Sequence, residues 1–118
     1  PNEADVLNSL AVVYSEQGDF ETAREIFTQL VTQVPENLDY KFNLAVVLFG
    51  LEHYDTALET LQQVLAQQPN FARAYVIQGQ AFLELGKQEA AKQAFGEALR
   101  LMPNDPQLKQ MLREMGLE

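Results

Sequence analysis

The chain lacks several residue types on which common chemistries depend. Among its 118 residues there is no cysteine and no tryptophan, and His53 is the single histidine. Without cysteine there are no disulfides, no thiolate metal ligands and no cysteine nucleophile. One histidine cannot complete a transition-metal site, and neither Ser9 nor Ser15 pairs credibly with His53 in a nucleophilic set. We therefore expect no enzyme activity, no metal and no cofactor.

Basic residues and long apolar runs are also scarce. Eight Lys and Arg stand against seventeen Asp and Glu, which gives a formal charge of −9. This balance argues against nucleic acid as a partner, because phosphate-binding surfaces are basic. The longest unbroken apolar run, residues 44–49, is far too short to cross a bilayer, and no signal peptide is recognisable. The sequence predicts a soluble chain, compatible with the cytoplasm or with an envelope space.

The acidic residues are concentrated in the first half of the chain. Residues 1–59 contain eleven acids and two bases, whereas residues 60–118 contain six of each. Two interpretations are open. The acidic half is either a solvated surface that keeps the protein in solution or the source of a field that steers a basic partner.

A period of 34 residues runs through the chain. Prolines recur at positions 1, 35, 69 and 103, and each is followed by Asn or by Glu-Asn, which suit the cap of a following helix. Under the same shift, small residues coincide with small ones and large with large. The small columns are Ala11, Ala45 and Gly79, and Ala23, Ala57 and Ala91; the large columns are Tyr14, Leu48 and Phe82, and Phe27, Leu61 and Phe95. Such self-similarity indicates a repeat architecture.

Within each period the apolar residues have helical spacing. In the first period they step by three and four residues, at Leu7, Leu10, Ala11 and Tyr14, which places a core-facing stripe on one helix. Gly18 and Asp19 then suit the end of that helix and the cap of the next. The pattern predicts helices over residues 4–17, 20–33, 38–51, 54–67, 72–85 and 88–101.

A seventh helix is predicted after Pro103. Asn104 and Asp105 precede Pro106, a residue that fits the first turn of a helix. An apolar stripe follows at Leu108, Met111, Leu112 and Met115, and Gly116 ends it. A helix of this kind covers the last exposed face of a repeat array.

These units resemble tetratricopeptide repeats, whose 34-residue pattern combines large residues, small residues and a closing proline. The matching residues are Leu7, Leu10, Ala11, Tyr14, Ala23, Phe27 and Pro35, then Leu44, Ala45, Leu48, Ala57, Leu61 and Pro69, then Tyr75, Gly79, Phe82, Ala91, Phe95 and Pro103. Lys41 and Gln78 depart from the pattern. So does Glu52, which stands where the other units have Gly18 and Gly86, and we expect Gly50 to reshape that turn.

The resemblance implies an all-α, right-handed superhelix that forms a single domain over residues 1–118. Its repeats span residues 4–37, 38–71 and 72–105, and a capping helix spans residues 106–116. Pro1 occupies the closing-proline column of a unit that is not present, so we expect the chain to be cut from a longer protein. Residues 117–118 are either native or a remnant of a tag.

In the resembled family, the first helix of each pair lines a concave face that binds protein segments. The resemblance assigns to this face Asn8, Val12, Phe42, Asn43, Val46, Phe49, Arg73, Val76, Ile77, Gln80 and Leu83. Phe42, Val46 and Phe49 follow one helical stripe and are expected to be exposed, which would mark an interaction site. A shift in helix phase would instead bury Val46 or Ile77, and a second copy or a missing segment would also fill the face; both readings stay open.

The sequence thus predicts a protein-binding scaffold or adaptor. Its ligand would be an apolar or amphipathic peptide or helix of a partner protein, with positive charge facing Asp5, Glu16 and Asp39. The alternatives are a homo-oligomerising structural module and a regulatory segment of a larger enzyme.

Some co-chaperones of this family clamp a C-terminal carboxylate with two Lys, two Asn and an Arg. The corresponding positions here are Asn8, Val12, Asn43, Arg73 and Ile77. Asn43 matches and Arg73 is a cationic substitute, whereas the other three differ. A carboxylate needs several convergent donors to offset its desolvation, so we do not expect a carboxylate clamp.

Overall fold

The computed structural model describes residues 2–117, and within this range it contains seven α-helices and no strands. The helices are α1 (Glu3–Glu16), α2 (Phe20–Gln33), α3 (Leu38–Gly50), α4 (Tyr54–Gln67), α5 (Ala72–Glu84), α6 (Gln88–Leu101) and α7 (Pro106–Glu114). The all-α helical-repeat prediction is confirmed. The expectations about Pro1 and Glu118 concern residues outside those that the structure describes.

Every hairpin turn uses the same backbone arrangement. Gly18, Glu52 and Gly86 have φ values of 85°, 66° and 76°, the left-handed conformation that ends many helices. In each turn the next amide donates a hydrogen bond to a carbonyl five residues earlier, over 2.8 to 2.9 Å. Glu52 therefore makes the turn that glycine makes elsewhere, and the expectation that Gly50 reshapes this turn was wrong.

Side-chain caps begin four of the helices. Asn2, Asn37, Asp19 and Asp105 each accept a hydrogen bond from the amide three residues further on, over 2.8 to 3.2 Å. These contacts satisfy amides that the first turn of a helix leaves without a partner. Asn70, which the sequence also placed at a cap, does not cap α5; that helix follows Phe71 with no side-chain cap.

Small residues set the distance between paired helices. A Cβ atom placed on Gly79 of α5 would lie 2.6 Å from the Phe95 ring of α6, and one on Gly50 of α3 would lie 2.7 Å from the Phe20 ring of α2. Both glycines therefore make room for an aromatic ring. Gly50 acts on the packing between two units and not on the turn that follows it.

The second helix of each unit packs against the first helix of the next. Ala23, Phe27 and Leu30 of α2 share a buried cluster with Tyr40 and Val47 of α3. Leu61 and Val64 of α4 share one with Ala74 of α5, and Phe95 and Ala98 of α6 share one with Leu108 and Leu112 of α7. This repeated contact produces a stack 42 Å long and about 25 Å across.

Leu10 of α1 departs from the predicted core. Its column is part of the repeat pattern, yet its side chain is 43% exposed. The covering contact in later units comes from the preceding second helix, and no helix precedes α1 within residues 2–117. Leu7, Ala11 and Tyr14 do pack into the first core cluster.

Candidate functional site

A pocket opens on the face formed by the first helices. Its volume is about 350 Å³, and it lies between α3, α5, the end of α6 and α7. The lining residues are Phe42, Arg73, Val76, Ile77, Met102, Asp105, Gln107, Leu108 and Met111. Most of these side chains are apolar, with one cation and one carboxylate among them. A concave apolar pocket with a few polar groups suits a large apolar side chain that must also be oriented.

Phe42 forms part of this pocket, but the prediction that its ring is exposed was wrong. The side chain is only 5% exposed. The Phe71 ring lies 5.0 Å from it, centroid to centroid, and the Arg73 guanidinium carbon lies 4.8 Å above the Phe42 ring and 5.4 Å from the Phe71 ring. Both covering residues lie at the start of α5, and the cation–π contact helps to hold the guanidinium over the rings.

Arg73 also faces Asp39 across the groove. Its Nη2 atom lies 3.9 Å from Asp39 Oδ1, and both side chains are largely exposed. An exposed pair at this distance adds little stability. It does place an opposite charge beside the Arg73 cation, so the guanidinium is partly neutralised before any ligand arrives.

A smaller pocket, of about 120 Å³, lies toward the N-terminal end of the same face. It is lined by Val12, Ser15, Glu16, Phe27, Asn43 and Val46. Asn43 Nδ2 donates a hydrogen bond to Asn8 Oδ1 at 3.2 Å, which ties α3 to α1. The structure therefore brings together the predicted residues Asn8, Val12, Asn43 and Val46.

Phe49 lies apart from both pockets. Its half-buried ring meets Tyr54 edge-on, with the centroids 5.5 Å apart. The pKa of the Tyr54 hydroxyl is raised above its ordinary value by partial desolvation, and then by the negative charges of Glu84 and Glu52. The predicted stripe of Phe42, Val46 and Phe49 is thus divided among three surroundings and does not form one exposed patch.

Gln80 and Leu83, also predicted on this face, lie beside α7. Gln80 Nε2 lies 3.3 Å from Met111 Sδ in hydrogen-bond geometry. Leu83 packs against the buried cluster between α6 and α7 and is partly buried. Neither side chain lines the two pockets.

The sequence reasoning missed the contribution of the C-terminal segment to the pocket of about 350 Å³. Met102, Asp105, Gln107, Leu108 and Met111 all line it. The 34-residue shift contains the missing signal, because Met111 falls in the column of Ile77 and Asn43, and Gln107 in that of Arg73 and Asp39. As a result α7 continues the wall built by α1, α3 and α5.

Residues 2–117 show neither a metal site nor a membrane-spanning helix. No group of three or more His, Asp or Glu side chains there is placed to hold a metal ion. No helix in that part of the chain is both long enough and apolar enough to span a membrane. His53 is exposed in the turn before α4.

Models of the tetratricopeptide repeat match the chain over residues 14–81 and 72–105. RNA polymerase II-associated protein 3 of Xenopus tropicalis is 30% identical over 105 residues, covering 89% of this chain and 16% of the relative. The Hsp70-Hsp90 organizing protein of Triticum aestivum is 29% identical over 92 residues, covering 78% of this chain and 16% of the relative. The chain thus corresponds to a small part of each of these proteins.

A solved structure extends the likeness to the whole stack. The first TPR of Spaghetti (RPAP3), bound to the HSP90 peptide SRMEEVD, superposes with a TM-score of 0.85 at 27% identity. The match covers 97% of this chain and 90% of that one. These matches are those of a protein-interaction module: the chain belongs to the tetratricopeptide repeat family.

Proposed function

We propose that this module binds an apolar or amphipathic segment of a partner protein on the face formed by α1, α3, α5 and α7. The supporting observation is the pocket of about 350 Å³ whose apolar lining comes from three successive layers of the stack. One large apolar side chain of the ligand would enter it beside Ile77 and Met111. Burial of a Leu or Phe side chain there would contribute about 1.5–3 kcal/mol.

The charges near the two pockets favour a ligand with basic residues beside its apolar anchor. Glu16 lines the small pocket and Asp105 the large one. Arg73 also lines the large pocket, but Asp39 lies 3.9 Å from its guanidinium, so carboxylates outnumber cations around the two pockets. Basic residues on either side of the anchor would raise the association rate more than the affinity, since exposed charges are screened by salt.

An acidic C-terminal peptide fits this face less well. The Spaghetti domain holds SRMEEVD, and the family resemblance places apolar Val12 and Ile77 here where clamp donors lie. Asn43 already donates to Asn8, so part of its capacity is used. A ligand carboxylate would therefore lose water without gaining the donors that it needs.

Peptide display tests the proposal. Random dodecapeptides are selected for binding to the wild-type chain. The affinities of the selected peptides are then measured for the wild-type chain and for the Ile77→Gln and Leu65→Gln variants. Both residues are partly buried against the same core cluster, but only Ile77 lines the pocket. We expect peptides with large apolar residues beside Lys or Arg, which lose about tenfold in affinity with Ile77→Gln and retain it with Leu65→Gln.

Three other results would contradict the proposal. Selected peptides that bind both variants equally would place the site elsewhere. Tight binding of SRMEEVD that depends on Asn43 and Arg73 would favour a carboxylate site. A dimer that Ile77→Gln dissociates, observed by light scattering, would mean that a second copy fills the face, as in the homo-oligomer alternative.

The alternative that this module regulates a larger enzyme is tested separately, by assaying the full-length polypeptide with and without residues 1–118.

A further inference from the structure

One side of α1 carries a stripe of exposed apolar residues. Val6, Leu10 and Val13 are 57%, 43% and 46% exposed. Their spacing by four and three residues aligns them along one face of the helix. A surface helix normally exposes polar residues on the side that faces water, so this stripe has the composition of a packing surface.

The internal repeat shows what this surface does elsewhere in the same molecule. The 34-residue shift places Val6 in one column with Tyr40, Ala74 and Leu108, all of which are buried. It places Val13 in one column with Val47 and Ala81, which are also buried. In α3, α5 and α7 the covering partner is the second helix of the preceding unit.

The covering helices share a pattern of their own. Each presents an alanine, a large residue four positions later and an apolar residue after a further three: Ala23, Phe27 and Leu30 in α2, Ala57, Leu61 and Val64 in α4, and Ala91, Phe95 and Ala98 in α6. All of these side chains are buried. A helix with this pattern fits the stripe on α1 as α2 fits α3.

We propose that the stripe of Val6, Leu10 and Val13 docks a further helix of this second-helix type, supplied by the same polypeptide on the N-terminal side of Asn2. The start of α1 is built to follow such a helix. Asn2 caps α1 as Asn37 caps α3, and α3 follows the end of α2 after a linker of residues 34–37 only.

A second copy of the chain is a poorer occupant of the stripe. The complementary faces of α2, α4 and α6 are already covered by α3, α5 and α7. Contact between two α1 stripes would involve only three side chains from each copy, whereas a specific interface buries about 800 Å² on each partner. A helix in the same polypeptide needs less contact area, because the linker keeps it at high effective concentration.

Thiol labelling tests this inference, because the chain has no cysteine of its own. Leu10→Cys introduces one thiol in the stripe, and Gln63→Cys introduces a control thiol at an exposed position of α4. Each is placed in the 118-residue chain and in the full-length natural polypeptide, and the rate of reaction with a maleimide is measured under native conditions. Val13→Cys provides a second stripe position should Leu10→Cys perturb folding.

We expect the stripe thiol to react at least about tenfold more slowly in the full-length polypeptide than in the 118-residue chain, since a buried thiol reacts only after local opening. The Gln63→Cys rate should be the same in both. Equal stripe rates would overturn the inference, as would a natural gene product with no helix-forming residues before Asn2. Protection in the 118-residue chain that rises with protein concentration would assign the stripe to a second copy instead.

Discussion

Glu52 adopts the backbone conformation that the other two hairpin turns give to glycine, and Glu52→Gly is expected to stabilise the protein. With a φ of 66°, Glu52 is the one non-glycine residue of positive φ among residues 2–117. The left-handed conformation costs an L-residue about 1–2 kcal/mol. Glycine removes this cost but adds about 0.5–1 kcal/mol of unfolded-state entropy. The difference between the midpoints of these two ranges gives an expected net gain of about 0.75 kcal/mol.

The reverse substitution isolates the same effect at the two glycine turns. A Cβ atom on Gly18 or Gly86 would meet no atom within 4 Å, so an alanine there changes backbone energetics and no packing contact. Gly18→Ala and Gly86→Ala should each destabilise the protein by about 1 kcal/mol or more. Together with Glu52→Gly, they measure one conformational cost in both directions.

Urea denaturation followed by circular dichroism gives the free energies of unfolding. Glu52→Gln serves as the charge control, because it keeps the Cβ atom and removes the carboxylate; we expect it to behave as wild type. A Glu52→Gly protein no more stable than wild type, with both alanine variants destabilised, would refute the reasoning for this turn. Equal stabilisation by Glu52→Gln would attribute the effect to repulsion between acidic residues.

Two further substitutions test the packing of the stack and the cover over Phe42. Gly79→Ala should destabilise the protein by about 1–3 kcal/mol, since its Cβ would overlap the Phe95 ring. Its control, Gly96→Ala on the exposed surface of α6, should stabilise the protein by up to about 1 kcal/mol. Thermal melts in which Gly79→Ala is the more stable of the two would contradict the packing argument. Arg73→Gln should lower the free energy of unfolding, measured by urea denaturation, by about 0.5–1 kcal/mol, because it removes the cation over Phe42. Arg73→Lys keeps the charge and should lower it less. Equal losses in the two variants would show that the charge is not responsible.

The sequence predicted the helices and the two glycine turns well because their causes are local. The glycine turns and the Asn37 and Asp105 caps are set within a few residues, and the 34-residue period fixes how the units follow one another. The candidate face was predicted less well, because its surroundings come from other helices and the segments between them. Phe42 is covered by Phe71 and Arg73, contacts that depend on how two layers meet.

Leu10 shows the same limit from the opposite direction. Its position in the repeat pattern predicts a core residue, and Leu112, which occupies the same column and packs against α6, is buried. Within residues 2–117 no helix precedes α1, and the Leu10 side chain is 43% exposed. A repeat column therefore specifies which surface a residue faces, whereas its burial depends on whether that surface has a partner.

Leu108 and Met111 line the pocket of about 350 Å³. The last helix is therefore part of the proposed ligand site as well as part of the stack. Helix α7 has nine residues and lies at the end of the stack, where fraying has the lowest free energy. A ligand seated against Met111 would bind only molecules in which this helix is docked. By linkage, ligand binding in the groove and order at the C-terminal end would rise together. The backbone amides of α7 would then exchange their hydrogens more slowly when a ligand is bound, although the ligand contacts the side chains of this helix and not its amides.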